Sequence, residues 1–551
     1  MASTFGYSNG NILIKNKLNS DFLSHISLIR SFSRGENFPP EYPHFAGVPI
    51  RYHFIFYAAV GLLEMAGMRI DFALNSLSII GFAGLLIIVF LLAKKITKSN
   101  FVGLGAILTI VFNPALSWIY YFFIGKNHLT NFLELLSTKN FGSFGPYDDN
   151  IISAFWNLNI YTNQRHLAFS FLLMFIALWI IIYSKGKKKL IIAILIIGLM
   201  SWMHKAVLLM IFFNLGVFFF AFPKKRKRIL FGIFAGILLA IPGLLYLSSS
   251  NIDMTSANPD NRLFVWVPGF LYKSTTWWEM KPASDLEQWI IYWFLNIGIL
   301  PILTFAGAIL VILSNRVKDT GNFLNKLWLT FVNPKTAWFL SATVIFIIAN
   351  LFKFGLDMAN NHKLINFSVM IWGIYAYIFI KSVWDNLKIF GKVIAQILIF
   401  CLIFGGICDL FPIYNDGVGE INDVEKSNNA QWVANNSKPK DVFLDMNAEF
   451  HSVILNGRKL YLGVAYFNWS LGYPVDERTN KILKLQTDNF PKDDWCNFLQ
   501  QENIAFFYLN INDHKLFDRD FDTQAFIDKF SNETKLEYGI YMYKTVDTCA
   551  N

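Results

Sequence analysis

Asp21 and His25 stand four residues apart in Ser20–Ser33, a run whose apolar residues fall at 22, 23, 26, 28, 29 and 32. That spacing predicts a helix on which the carboxylate and the imidazole share a face. A carboxylate at its ordinary pKa is charged at neutral pH and can accept a proton from a nucleophile. The same run equally fits an amphipathic helix lying on a bilayer. Arg30 belongs to this run as well. Pro39-Pro40 then ends regular structure, Gly47-Val48-Pro49 turns the chain, and Arg51-Tyr52-His53 opens an apolar stretch that carries Glu64. Further along, Asp148-Asp149 could hold a divalent cation through oxygen ligands, or simply form a turn rich in Gly and Pro. Arg165 and His166 stand at the mouth of an apolar segment, where they can bind phosphate or snorkel to the interface. His204-Lys205 sits at a turn between two apolar segments. Ionisable groups at such depth are costly and usually face a cavity. Lys205 is therefore a candidate for a lipid phosphate, or an interfacial lysine beside Trp202. His362 and Lys363 close a short loop, Asp357–Lys363, that reads either as a polar turn or as groups pointing into a cavity at the membrane face. The loop 248–287 adds Asn258, Asp260, Arg262, Trp266 and Lys273, and its Trp277-Trp278 pair suits an aromatic belt.

The elements that must position these groups are membrane helices. Of 551 residues, 54% are hydrophobic and 16% charged, against roughly a quarter charged in soluble domains. Ten apolar segments approach the ~20 residues of a crossing: 74–93, 101–123, 167–184, 190–204, 205–222, 229–247, 288–313, 337–353, 364–380 and 389–411. Basic clusters follow every second span: Lys94 to Lys98, Lys185 to Lys189, Lys224 to Arg228, Arg316 to Lys335, and Lys381 to Lys392. These loops hold 19 basic residues against two acidic ones, while residues 415–551 carry a net −7. The overall +10 is thus a topology signal that makes the basic loops cytoplasmic, and no basic face is left for nucleic acid. Residues 1–73 and the tail then face outward, and 52–68 becomes an outer juxtamembrane helix. Residues 1–20 are polar, without the apolar core of a signal peptide. The expectation is that later spans translocate them or that a helix precedes Met1.

The expected fold is an α-helical polytopic membrane protein of about ten spans with a small C-terminal α/β extracytoplasmic domain. Its parts are residues 1–73, a transmembrane domain at 74–413, and 414–551. In the last, 430–436 reads as a helix end, and 441–446, 459–464, 504–509 and 538–543 as strands, with Asn456-Gly457 as a turn. Cys496 and Cys549 could pair. Walker A, dinucleotide-glycine, HExxH and nucleophile-elbow motifs are absent from the sequence.

The layout resembles the GT-C glycosyltransferases, integral membrane enzymes that take a sugar from a polyprenyl-phosphate carrier on the outer face. Ser20-Asp21-Phe22-Leu23-Ser24-His25 is similar to the family's Asp-containing first loop. Gly47-Val48-Pro49-Ile50-Arg51-Tyr52-His53 is similar to the entry of its juxtamembrane helix. Asn37-Phe38-Pro39-Pro40-Glu41, Asn456-Gly457-Arg458-Lys459, Trp469 and Gly472-Tyr473 look like bacterial members. The resemblance implies Asp21 as catalytic base on an acceptor. It also implies phosphate binding by residues among His25, Arg51, His53, Arg165, His166, His204, Lys205, His362 and Lys363. A divalent metal at Asp148 and Asp149, with His25 completing the site, would match metal-using members. The family's first span precedes its acidic loop, and none precedes Asp21 in this sequence. The implied partners are a polyprenyl-phosphate-linked sugar, the bilayer and an unspecified acceptor glycan, lipid or protein. A transporter or lipid flippase, or a non-catalytic envelope assembly protein, are the competing readings.

Overall fold

The structure is a computed structural model. It describes every residue except 125–128, 143–157, 249–264, 274–282, 315–331, 356–358, 446–451, 486–490, 512–514, 517–518, 521, 531–532 and 550–551. The main elements before residue 100 are β1 (Phe5–Ser8), β2 (Asn11–Lys15), α1 (Asn19–Ser33), β3 (Glu41–Tyr42), β4 (Phe45–Pro49), α2 (Ile55–Met65) and α3 (Ile70–Thr97). The apolar helices that follow are α4 (Asn100–Phe112), α5 (Arg165–Tyr183), α6 (Lys187–Met203), α7 (Lys205–Ala221), α8 (Arg226–Ser248), α9 (Asp285–Ile297), α10 (Leu300–Ser314), α11 (Ala337–Leu351), α12 (Ala359–Asn386) and α13 (Lys388–Cys408). Among the described residues, five helices are long and apolar enough to cross a membrane, or up to seven if two bent pairs each count as one span. By length and composition the chain is a helical, polytopic membrane protein.

The two bends have local causes. The segment 101–123 breaks at Asn113-Pro114, where Pro removes a donor, and the helix pair bends by 48°. The segment 288–313 breaks between α9 and α10 by 84°, at Gly298, whose φ of 53° suits glycine. Helices α6 and α7 are 17 residues each, separated only by the extended His204.

The chain divides into two compact units. One comprises Met1–Leu77, Leu244–Ala257 and Val418–Asn551; the other comprises Ser78–Gly243 and Asn258–Gly417. In the first unit the chain ends fold together. β5 (Val418–Asn422) adds antiparallel to β2, which pairs with β1, giving a three-stranded sheet. A second, mixed sheet has the order β9-β10-β8-β6-β7, made from β6 (Val442–Asp445), β7 (Lys459–Leu460), β8 (Phe506–Asn510), β9 (Glu533–Lys535) and β10 (Ile540–Lys544). Each strand expected from the tail's sequence has a counterpart in that sheet. Phe443, Leu460, Phe506 and Met542 form its core with Val433 and Ile454. Cys496 and Cys549 are joined in a disulfide.

Helix α1 packs on α2, and Gly61 allows the approach, because a Cβ there would press on the Ile29 carbonyl at 2.6 Å. At 11 residues α2 is too short to span, and its Glu64 is not stranded in apolar surroundings. It accepts from Ser33 Oγ at 2.7 Å and lies 3.3 Å from the buried Arg30 guanidinium. Arg30 also donates to Asp423 at 2.6 Å, so one buried cation joins α1, α2 and the segment after β5.

In the second unit α12 is central, with 89% of its apolar window buried, packed by α4, α10, α11 and α13. Small residues permit the close crossings: a Cβ on Gly307 would overlap the Tyr375 carbonyl.

Candidate functional site

Asp21 lies in the first turn of α1 and is half-buried. The expected helix over Ser20–Ser33 is therefore present, and the acid is helical, where the resemblance implies a loop. His25, one turn on, is buried and stacked on Tyr57 with ring centroids 4.6 Å apart. Tyr52 completes this group. Burial, and then the negative charge of Asp21, holds its phenol well above the ordinary value, so the hydroxyl stays protonated. Asp21 is thus within electrostatic reach of a fixed phenol. Tyr52 was legible in the Gly47–His53 motif but carried no chemical role there; Tyr57 had no sequence signal beyond an apolar helix.

Arg51 is tied to the segment around Tyr473. Its guanidinium donates to the Gly472 carbonyl and lies 4.6 Å over the Tyr473 ring, while its backbone N–H donates to Tyr473 Oη at 2.8 Å. Tyr473 in turn donates to the Pro49 carbonyl at 2.9 Å. The other quoted motif residues form ties of the same kind. Lys459 pairs with Glu41 at 2.8 Å, and Arg458 donates to the Arg34 carbonyl at 3.0 Å. Gly457 makes the expected turn, at φ 70°, where a side chain would meet the Arg30 carbonyl. His53 abuts Tyr52, with ring centroids 3.8 Å apart.

The second unit gathers the remaining candidates at the starts of three helices. Arg165 and His166 open α5, both fully buried, and Arg165 Nε donates to the Thr162 carbonyl at 2.6 Å. Lys205 opens α7 directly after the buried His204. His362 and Lys363 lie in the first turns of α12, also buried. The expected loop at 357–363 is corrected here: α12 begins at Ala359, and Asn361 is the reason. Its side chain donates to the carbonyls of Ala349 and Phe352 at 2.8 and 2.6 Å and accepts from Phe354 N–H at 3.0 Å. That satisfies the end of α11 and lets α12 start at once.

These helix starts meet. The His166 and His204 rings are 5.3 Å apart, and Lys363 acts electrostatically on His204. Tyr292, from the middle of α9, lies with its hydroxyl 3.3 Å from His362 Nε2. No spacing rule pointed to Tyr292. Lys363 Nζ donates to Asn360 Oδ1 at 3.3 Å. Each helix N-terminus carries roughly +0.5 charge, a position that ordinarily favours anions over cations. The starts of α5, α7 and α12 thus each carry a cation, Arg165, Lys205 and Lys363.

Asp148, Asp149, Asn258, Asp260, Arg262, Trp277 and Trp278 lie outside the described residues. Trp266 pairs in a short ladder with Phe352, and Lys273 forms an ion pair with Asp285 at 2.5 Å.

No protein-family model matches the sequence, and no curated protein does. Among solved structures, the crystal structure of ArnT from Cupriavidus metallidurans in the apo state is similar, with a TM-score of 0.46 at 10% identity, over 100% of this chain and 95% of that one.

Proposed function

We propose that the protein transfers a sugar from a polyprenyl-phosphate carrier to an acceptor on the outer face of the membrane. The observation that carries this reading is that Arg165, Lys205 and Lys363 each stand at the start of an apolar helix, and that His204 there meets the His166 ring and the charge of Lys363. The far ends of these helices lead into the basic clusters at Lys185, Lys224 and Lys381. By the positive-inside rule the locus is then on the outer side, as are residues 1–73 and 414–551. A lipid phosphate fits a site that is cationic, buried and flanked by apolar helices.

By its resemblance to the GT-C enzymes, Asp21 takes the proton from the acceptor nucleophile. The nucleophile bonds to the anomeric carbon, the bond from that carbon to the phosphate oxygen breaks, and polyprenyl phosphate departs with the electron pair. The resemblance assigns the charge that grows on the leaving phosphate to basic side chains, for which Arg165, Lys205 and Lys363 are the candidates. Arg51 serves to fix the chain around Tyr473. A divalent cation would add Lewis-acid stabilisation of that same phosphate; no step above depends on one.

The test is transfer of labelled sugar from polyprenyl phosphate in proteoliposomes. Asp21→Asn should lower the rate roughly 10²- to 10⁴-fold, the usual worth of a general base, with normal expression. Unchanged transfer would remove Asp21 from the chemistry. The two broken helix pairs favour transport as a second reading. It requires substrate flux that survives Asp21→Asn.

A further inference from the structure

A separate cavity of about 240 Å³ lies in the membrane-helix unit, at the ends of α3, α10 and α12 and the start of α4. Lys335 and Lys381 line it, with the hydroxyl residues Thr97, Ser99 and Ser314. Its remaining wall is apolar, including Val102, Val311 and Ile378.

Three features of this cavity favour an anion. Ser99 Oγ accepts from Val102 N–H at 3.4 Å, capping α4, and both residues line the cavity, so the positive end of the α4 dipole opens onto it. Lys335 is anchored by its backbone, whose carbonyl accepts from Tyr375 Oη at 2.5 Å. Lys381 pairs with Asp385 one turn away on α12, but both side chains are substantially exposed, 40% and 49%, so the pair is easily exchanged for a stronger anion. Lys94, Lys95 and Lys98 at the adjoining end of α3 add exposed positive charge and attract an anionic surface. The apolar wall then selects among anions: a soluble phosphate gains nothing from Val102, Val311 and Ile378, whereas a lipid's glycerol and first methylenes do. Basic pockets between membrane helices on the cytoplasmic side characteristically take anionic headgroups.

We propose that this cavity binds the phosphate headgroup of an anionic phospholipid from the leaflet facing the basic loops. The site is independent of sugar transfer and rests only on the membrane topology.

The experiment is native mass spectrometry of the full chain, titrated with phosphatidylglycerol and with phosphatidylcholine of the same acyl chains. The wild type should bind one phosphatidylglycerol in preference to phosphatidylcholine. The double variant Lys335→Gln/Lys381→Gln should weaken that binding roughly ten- to thirtyfold. Lys335→Arg/Lys381→Arg, which keeps both charges, should retain it. Equal binding of the two lipids by wild type, or full phosphatidylglycerol binding by the glutamine variant, would overturn the proposal. Millimolar inorganic phosphate should not displace the lipid; displacement would assign the site to a soluble phosphate instead.

Discussion

The two units use their buried cations differently. In the unit formed by the two chain ends, the buried arginines and lysine among the described residues meet fixed groups of the same chain. Arg30 meets Glu64 and Asp423, Lys459 meets Glu41, and Arg51 and Arg458 meet carbonyls. Those cations hold distant segments of sequence together. In the membrane-helix unit Arg165, Lys205 and Lys363 stand at the starts of three helices, where the helix dipoles already raise the local potential. The first pattern ties segments together; the second is the one from which a phosphate site is proposed. Burial alone therefore does not mark a functional arginine. Arg30 and Arg165 are both almost fully buried, Arg30 beside two carboxylates and Arg165 on the Thr162 carbonyl.

This contrast can be broken by substitution. Arg30→Ala leaves two carboxylates, Glu64 and Asp423, facing each other without a counter-charge, and should cost roughly 3–5 kcal/mol in stability. Thermal unfolding followed in detergent would show it, and a melting temperature unaltered by the change would mean the ion triad is idle. Arg165→Gln and Lys363→Gln give up their bonds to Thr162 and Asn360 and should cost less in unfolding than Arg30→Ala. Each should instead raise the donor KM by roughly 10- to 100-fold, the worth of a charged hydrogen bond. A large stability loss with an unchanged KM would place them with Arg30. Tyr52→Phe should be the mildest, within a few-fold of wild-type transfer. Because burial and Asp21 raise the Tyr52 phenol, it remains protonated through the assay range. The alkaline limb of the pH–rate profile below about pH 10 should then be the same in wild type and Tyr52→Phe. A limb that disappears in the variant would show that this hydroxyl titrates.

What the sequence revealed was local. Apolar runs located the apolar helices, because burial in lipid is written into every window of about 20 residues. The helix carrying Asp21 and the strands of the tail were legible from periodicity in the same way. Non-local pairing was not legible. Asn11–Lys15 alternates weakly, and nothing near it shows that it pairs with Val418–Asn422, some four hundred residues away. The Arg30 triad joins three segments for the same reason and left no trace in spacing. At the candidate site, Arg165, His166, His204, Lys205, His362 and Lys363 were each visible as ionisable groups beside apolar runs. Their meeting was not, since it depends on which helices pack against which. The start of α12 was missed because Asn361 reads as a turn former, while its amide is used to close α11.

The most direct test is binding of sugar-free polyprenyl phosphate to the purified chain, which isolates the anion site from the transfer reaction. Wild type should bind it, and Arg165→Gln/Lys363→Gln should lose that binding while still unfolding in a cooperative thermal transition. Equal affinity in the two proteins would contradict a phosphate site at the three helix starts.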